Sequence, residues 1–202
     1  MDLYPTLQHT IAKALELPVT KERQAVLQEL VSFIQQKKDA GQPVLLNFIC
    51  THNSRRSQFS QIWAQTAAAI KDVEVRCFSG GVEVTAFNDR AIAATARAGF
   101  MVSQEGEENP IVEVKYSKDA TPIIAFSKVF DDAANPAKGF AAVMTCSHAD
   151  ENCPYIAGAE ARIPVRYEDP KAFDGTAEEA AKYDERSLQI ASEMLYVFSK
   201  IL

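Results

Sequence analysis

The sequence predicts an α/β fold with a parallel sheet of about four strands, and three observations carry that expectation. Two apolar runs without alternation, "VLLNFIC" (Val44–Cys50) and "GFAAVMTC" (Gly139–Cys146), read as strands covered on both faces. Helical patterns follow or separate the strand patterns, so consecutive strands connect through crossovers rather than hairpins. The chain has 202 residues and 47% hydrophobic content, enough to bury a full core without disulfides or metal.

The elements follow in chain order. Val26, Leu27, Leu30, Val31 and Ile34 recur at spacings of three and four behind a Thr20 cap, which predicts an amphipathic helix over 20–38 that Gly41 and Pro43 terminate. Residues 1–42 thus read as a helical N-terminal extension packed on a main domain of residues 43–202. After the Val44–Cys50 strand, Ser57–Ile70 reads as a helix with Phe59, Ile62, Trp63 and Thr66 on one side. Val73–Ser79 is the next strand, with Gly80–Gly81 as its turn, and the Ala-rich Asp89–Gly99 a helix ending on glycine. Asn109–Lys128 holds two β-prone segments about a polar turn, a β-hairpin pattern. Gly139–Cys146 and Ala161–Val165 supply two more strands. Gly175–Leu202 closes the chain as a helix, with Leu188, Ile190, Ala191, Met194, Leu195, Val197, Phe198 and Ile201 forming a broad apolar face.

The net charge of −6 opposes a general nucleic-acid or anionic-membrane role, since those surfaces demand clustered Lys and Arg. The first residues lack a basic region followed by an apolar core, and no apolar run approaches the ~18 residues of a membrane span, so the cytoplasm is the expected compartment. Four cysteines are too sparse for a secreted disulfide scaffold.

The chemistry concentrates in "CTHNSRRSQ", which opens at Cys50. A loop between the carboxyl end of a buried strand and a helix N-terminus directs several backbone N–H groups at one spot, and the helix dipole adds partial positive charge there. The same donors favour the thiolate of Cys50, which makes it a candidate nucleophile. Arg56 supplies a planar fork for two oxygens of a tetrahedral oxyanion. Ser54 and Ser57 offer hydroxyl donors to the thiolate or the anion. The bland alternative is a strand-end cysteine that belongs only to the core, the role assigned to Cys77.

Cys146 and Cys153 lie in "TCSHADENCPY", seven positions apart. With only His148 between them and no second pair elsewhere, they lack a full zinc ligand set. A redox reading fits better: a flexible loop brings Cys153 to Cys146, and a mobile Cys146 reaches Cys50 across neighbouring strand ends. Two ordinary loop cysteines remain the alternative.

The Cys-x5-Arg-Ser loop resembles that of the low-molecular-weight protein tyrosine phosphatase superfamily. More narrowly it resembles the thioredoxin-coupled arsenate reductases, over residues 44–200. The fold this implies is a three-layer α/β arrangement on a four-stranded parallel sheet of low-molecular-weight phosphatase type, with an inserted β-hairpin and the N-terminal helical extension. Thr51, His52, Asn53, Ser54, Arg55, Arg56 and Ser57 map to the oxyanion loop. His52 stands where glycine is usual, at a place that asks for left-handed backbone, and Arg55 is either a second anion anchor or a solvent-facing side chain. The Cys146-x6-Cys153-Pro154 segment resembles the reductases' own. The relay it implies runs from Cys50, which attacks arsenate, to Cys146, which attacks the Cys50 sulfur, to Cys153, which carries the disulfide outward to thioredoxin.

Asp169, directly before Pro170, matches the superfamily's Asp-Pro general acid, in preference to Glu168. Lys171 stands where phosphotyrosine phosphatases place an aromatic flank, which suits a small inorganic oxyanion, with Tyr167 or Phe173 as possible substitutes for that flank. Some reductases bind potassium through an asparagine, a serine and carboxylates. Asn53 and Ser79 match the first two, but Gln61 replaces a carboxylate, which argues against a specific cation, and no tightly bound cofactor is implied. The expected function is thus arsenate reduction, with a phosphatase using Cys50, Arg56 and Asp169 as runner-up and a non-catalytic phosphate- or arsenate-binding protein as a third reading. The partners are a small oxyanion substrate, arsenate or a phosphate ester, and thioredoxin.

Overall fold

The computed structural model describes residues 1–152 and 155–202. Helices α1 (Pro5–Glu16) and α2 (Lys21–Asp39) precede β1 (Leu45–Cys50), α3 (Arg56–Ile70), β2 (Arg76–Gly81) and α4 (Asp89–Arg97). A second sheet, β3 (Met101–Glu105), β4 (Ile111–Lys115) and β5 (Ile123–Ala125), is followed by β6 (Phe140–Met144), α5 (Ser147–Asn152), β7 (Ala159–Pro164), a 3-10 turn at Pro170–Phe173 and α6 (Glu179–Ser199).

The four-stranded sheet has the order β2-β1-β6-β7, with every pairing parallel. Its middle strands are buried almost throughout, which explains why they read as unbroken apolar runs. Helix α3 packs on β1 and β2 and α2 on β7, while α6 lies against α1, α2, α3 and α4. The large core on that side includes Leu46, Phe48, Trp63, Tyr183 and Phe198. Leu7, Ile11 and Ala14 of α1, and Leu27, Leu30 and Ile34 of α2, belong to the same core. On the opposite face Ile49, Phe140, Met144, Ala149 and Ile156 form a smaller cluster that also takes in Cys50 and Cys146.

Three local expectations change. The hairpin is present as β4 and β5, but β3 pairs antiparallel with β4 and makes it a three-stranded sheet. Its strand pattern, "MVSQE", is mostly exposed and so carries no apolar signal. Gly80 and Gly81 are not a turn: they complete β2, opposite Ile49 and Cys50. A Cβ on Gly80 would sit 2.4 Å from the Phe130 Cα, so glycine is what lets the chain after β5 cross over the strand end. The polar segment after Cys146, expected as a flexible loop, forms the short helix α5.

The crossing segment buries Lys128, which is 4% exposed, with its ammonium 4.4 Å from the Phe126 ring centre. Burial lowers this ammonium from 10.5 to about 8, against the opposing pull of Asp132. The unfolded chain therefore holds more protons than the folded one between those values. The burial penalty is full below pH 8 and is relieved as pH rises toward 10.5. Lys128→Met should accordingly raise stability at pH 7, by at most about 3 kcal/mol, and the gain should shrink by pH 10. Denaturant unfolding at both pH values measures it, and an equal gain at both would contradict the account.

Candidate functional site

The register of β1 with its two neighbours sets the site. Cys50 ends β1 opposite Gly81, and Ile49 pairs with Met144 on the other side, so Cys146 follows just beyond the adjacent strand end. The Thr145 amide donates to the Ile49 carbonyl at 2.7 Å and holds the two strand ends together.

From Cys50 onward the chain turns away from the sheet, and successive carbonyls are each tied outward. Those of Cys50 and Thr51 accept from the amides of Val82 (3.2 Å) and Glu83 (2.8 Å). The His52 carbonyl accepts from Ser127 Oγ at 2.8 Å, the Asn53 carbonyl from Gln58 Nε2 at 2.9 Å, and the Ser54 carbonyl from the Asn88 amide at 3.0 Å. An arc whose carbonyls face out turns its N–H groups toward the inside, the geometry of an anion-binding nest. Arg55 at the cap position of α3 makes no side-chain capping bond, so the helix's leading amides join that nest.

Asn53 is the residue with left-handed backbone, φ 47°, and not His52. Asparagine tolerates that region better than most residues. Its side chain spans the loop, with Nδ2 donating to Ser57 Oγ at 2.8 Å and Oδ1 accepting the Lys128 amide at 3.1 Å. Ser57 Oγ in turn lies 3.0 Å from Cys50 Sγ, within hydrogen-bond reach of the sulfur. His52 points the other way, 3.3 Å from the Glu83 carboxylate.

Asp169 comes to the loop from the chain after β7. Arg56 Nη2 donates to Asp169 Oδ2 at 2.7 Å and Nη1 to the Tyr167 carbonyl at 3.1 Å. Arg56 Nε is buried and finds no acceptor among the described residues, a donor left over for an oxyanion. Arg55 is neither a free anchor nor solvent-facing. It donates to Tyr183 Oη at 3.0 Å and sits 3.8 Å from Asp169 Oδ1, and the Tyr183 hydroxyl in turn donates to Asp174 Oδ1 at 2.8 Å. Burial, with the bond to Asp174, pushes the Tyr183 hydroxyl up to about 12, so it remains a neutral donor.

Cys50 and Cys146 are 3% and 1% exposed and free. Thr51 Oγ1 lies between the two elements, 3.5 Å from Cys146 Sγ and 3.3 Å from His148 Nδ1. The Ala149 amide donates to Cys146 Sγ at 3.4 Å. Cys153 and Pro154 lie outside the described residues. Cys77 is buried among apolar neighbours, and that burial pushes its thiol up, as expected of a core cysteine.

Among the described residues no three His, Cys, Asp or Glu side chains converge on a common point. The residues matched to a potassium site do not fit one. Asn53 Oδ1 already takes the Lys128 amide and Gln61 Oε1 the Ser79 hydroxyl at 2.6 Å, and neither neutral amide brings the carboxylate charge of such a site. A cleft of about 370 Å³ beside the loop is lined by His52, Ser54 and Arg55 together with Glu107, Glu108 and Lys171. Tyr167 does not flank it, being buried at 5% exposure. No helix among the described residues is long and apolar enough to cross a membrane.

Sequence reasoning missed the supports of the loop, Ser127, Lys128 and Gln58, because they act through backbone bonds that no local pattern signals. It also missed Tyr183, which reads as one more residue of α6.

No model of a known protein family matches the chain. Among curated proteins it is similar to an arsenate reductase of Halalkalibacterium halodurans, 24% identical over 67% of this chain and 80% of that protein. It is also similar to one of Bacillus licheniformis, 23% identical over 76% of this chain and 93% of that protein. Among solved structures it shares its fold with a low molecular weight phosphotyrosine phosphatase of Vibrio cholerae, at a TM-score of 0.50 and 14% identity, over 77% of this chain and 94% of that one.

Gly81 tests the loop geometry directly. A Cβ there would lie 2.7 Å from the Asn53 amide nitrogen and 2.6 Å from the Glu83 carbonyl oxygen, both main chain. Gly81→Ala should cost about 1–3 kcal/mol of stability and push the arc off its geometry. Phosphate affinity, followed by calorimetric titration, should fall roughly tenfold, a change of about 1.4 kcal/mol.

Proposed function

We propose that the chain, similar in sequence to arsenate reductases and in fold to a low-molecular-weight phosphatase, is a member of that superfamily and reduces arsenate to arsenite through a relay of Cys50, Cys146 and Cys153. The observation that carries the reading is the placement of a second buried thiol, Cys146, beside Cys50 in one small core, at the adjacent strand end. A hydrolase has no use for that thiol.

The steps balance as follows. The oxyanion enters the amide nest and takes up the free Arg56 Nε–H, and its charge displaces Asp169 from the Arg56 fork. Asp169, once off the fork, takes a proton from solvent; the Cys50 thiolate attacks arsenic(V) while Asp169 passes that proton to the departing hydroxide, so that water leaves and an S–As bond forms. The Cys146 thiolate then attacks the Cys50 sulfur. The S–As bond breaks with its electron pair going to arsenic, which departs as arsenic(III), and the two sulfurs are left oxidised as a disulfide. Cys153 attacks the Cys146 sulfur, frees Cys50, and leaves a Cys146–Cys153 disulfide for an external dithiol. Thioredoxin, in the cytoplasm, is the donor proposed, because a chain with its own resolving thiols has less need of glutathione.

The same Cys50, Arg56 and Asp169 would hydrolyse a small phosphomonoester. Two features favour the inorganic substrate over phosphotyrosine: Lys171 in the place of an aromatic flank, and the burial of Tyr167.

The test is disulfide mapping by mass spectrometry after fully reduced protein meets stoichiometric arsenate without external reductant. A Cys146–Cys153 bridge with one arsenite released per chain is expected. All thiols staying reduced, while the same preparation hydrolyses an aryl phosphate, would put the phosphatase reading in its place. Cys146→Ser should hold arsenic on Cys50 and release no arsenite.

A further inference from the structure

Helix α2 carries Arg23, a partly buried guanidinium with 24% of its side chain exposed. Its Nε and Nη2 donate to Glu193 Oε1 and Oε2 at 3.0 and 2.5 Å, and its Nη1 donates to the Arg166 carbonyl at 3.3 Å. The guanidinium carbon stands 5.2 Å from the centre of the Tyr167 ring. Arg166 and Tyr167 lead into the segment that holds Asp169. The Tyr167 amide donates to the Thr145 carbonyl at 3.0 Å, next to Cys146, and its own carbonyl is the acceptor for Arg56 Nη1. The Arg166 side chain crosses to Asp150 of α5, at 2.7 Å from Nε to Oδ2.

This dipeptide lies between the end of β7 and the 3-10 turn, where no strand partner fixes the backbone. Its main-chain groups need anchors from elsewhere. Thr145 and Arg56 supply two of them from the sheet and the loop. The third comes from α2, outside the residues that resemble the superfamily. Only a planar fork can bind a buried carboxylate in two places, reach a carbonyl and cover a ring at once.

We propose that Arg23 is a positioning residue: the N-terminal extension clamps the Arg166–Tyr167 backbone through it, and so fixes where Asp169 stands relative to Arg56 and Cys50. The proposal rests on the reading of Cys50 as nucleophile and Asp169 as acid. Arg23 acts through the segment and gives no proton of its own.

Two full-chain variants test it. Arg23→Lys keeps a cation opposite Glu193 and gives up the fork and the ring contact. Arg23→Leu combined with Glu193→Gln removes both charges together, so that no unpaired carboxylate is left in the interior. Hydrogen exchange is followed over residues 164–174, and hydrolysis is measured with aryl phosphates of rising leaving-group basicity. Faster exchange at 164–174 is expected, with β1 and β6 unchanged and inorganic phosphate affinity within about twofold. The rate should barely move for p-nitrophenyl phosphate, which leaves without help, and fall roughly tenfold or more for phenyl phosphate, which needs the acid.

A residue that only stabilised the fold would lower all rates alike, and a uniform loss overturns the proposal. Unchanged exchange at 164–174 in both variants overturns it too, whatever the activity. Failure of the underlying reading looks different. The unaltered chain would then form no covalent adduct at Cys50, and the acid role would fall with it, while the exchange data would still report whether Arg23 holds the segment.

Discussion

The site depends on one constraint, that the chain from Cys50 to Ser54 keeps its carbonyls turned outward. The five are met from four parts of the fold: the chain just after β2, the chain leaving β5, the first turn of α3 and the cap of α4. A peptide unit that lost its outer acceptor bond would be free to rotate and present its oxygen to the anion. The antiparallel insertion is therefore not decoration, since Ser127 and Lys128 at its exit hold His52 and Asn53 in place. The two glycines of β2 serve the same end by letting main chain pass where any side chain would collide.

Within that frame the charges are arranged around a vacancy in hydrogen bonding rather than in space. Arg56 has two of its nitrogens engaged and its buried Nε without an acceptor among the described residues, while Asp169 is held by the cation that a substrate would claim. In the proposed reaction a dianion outcompetes the monoanionic carboxylate for the fork, and the freed carboxylate takes up a proton from solvent before it serves as the acid. The thiols follow a similar economy. Both are buried, and the hydroxyl of Thr51 sits against Cys146 one residue after Cys50. Cys146 leads directly into α5, whose Asp150 is bound by Arg162 and Arg166.

Much of this was legible in the sequence because it is written in local pattern. Parallel strands buried on both faces read as Val44–Cys50 and Gly139–Cys146, and the loop chemistry sits in consecutive residues. What was not legible travels through space. β3 carries no apolar alternation because it is an exposed edge strand, and Gly80 and Gly81 resemble a turn until Phe130 and the loop are seen against them. His52 attracted attention as the departure from a glycine, yet Asn53 takes the left-handed backbone. Arg55 has its partners, Tyr183 of α6 and Asp169, more than a hundred residues away, so its role as a clamp on Tyr183 had no signal nearby.

The central claim is that this loop does covalent chemistry at Cys50, and trapping tests it most directly. Protein mixed with an aryl phosphate and quenched in acid within milliseconds is digested and the Cys50 peptide weighed. The account predicts a phosphoryl group on Cys50, absent after Cys50→Ser and formed far more slowly after Arg56→Lys. Tight phosphate binding without any adduct, or an adduct on another residue, would contradict it and leave an oxyanion-binding protein in its place.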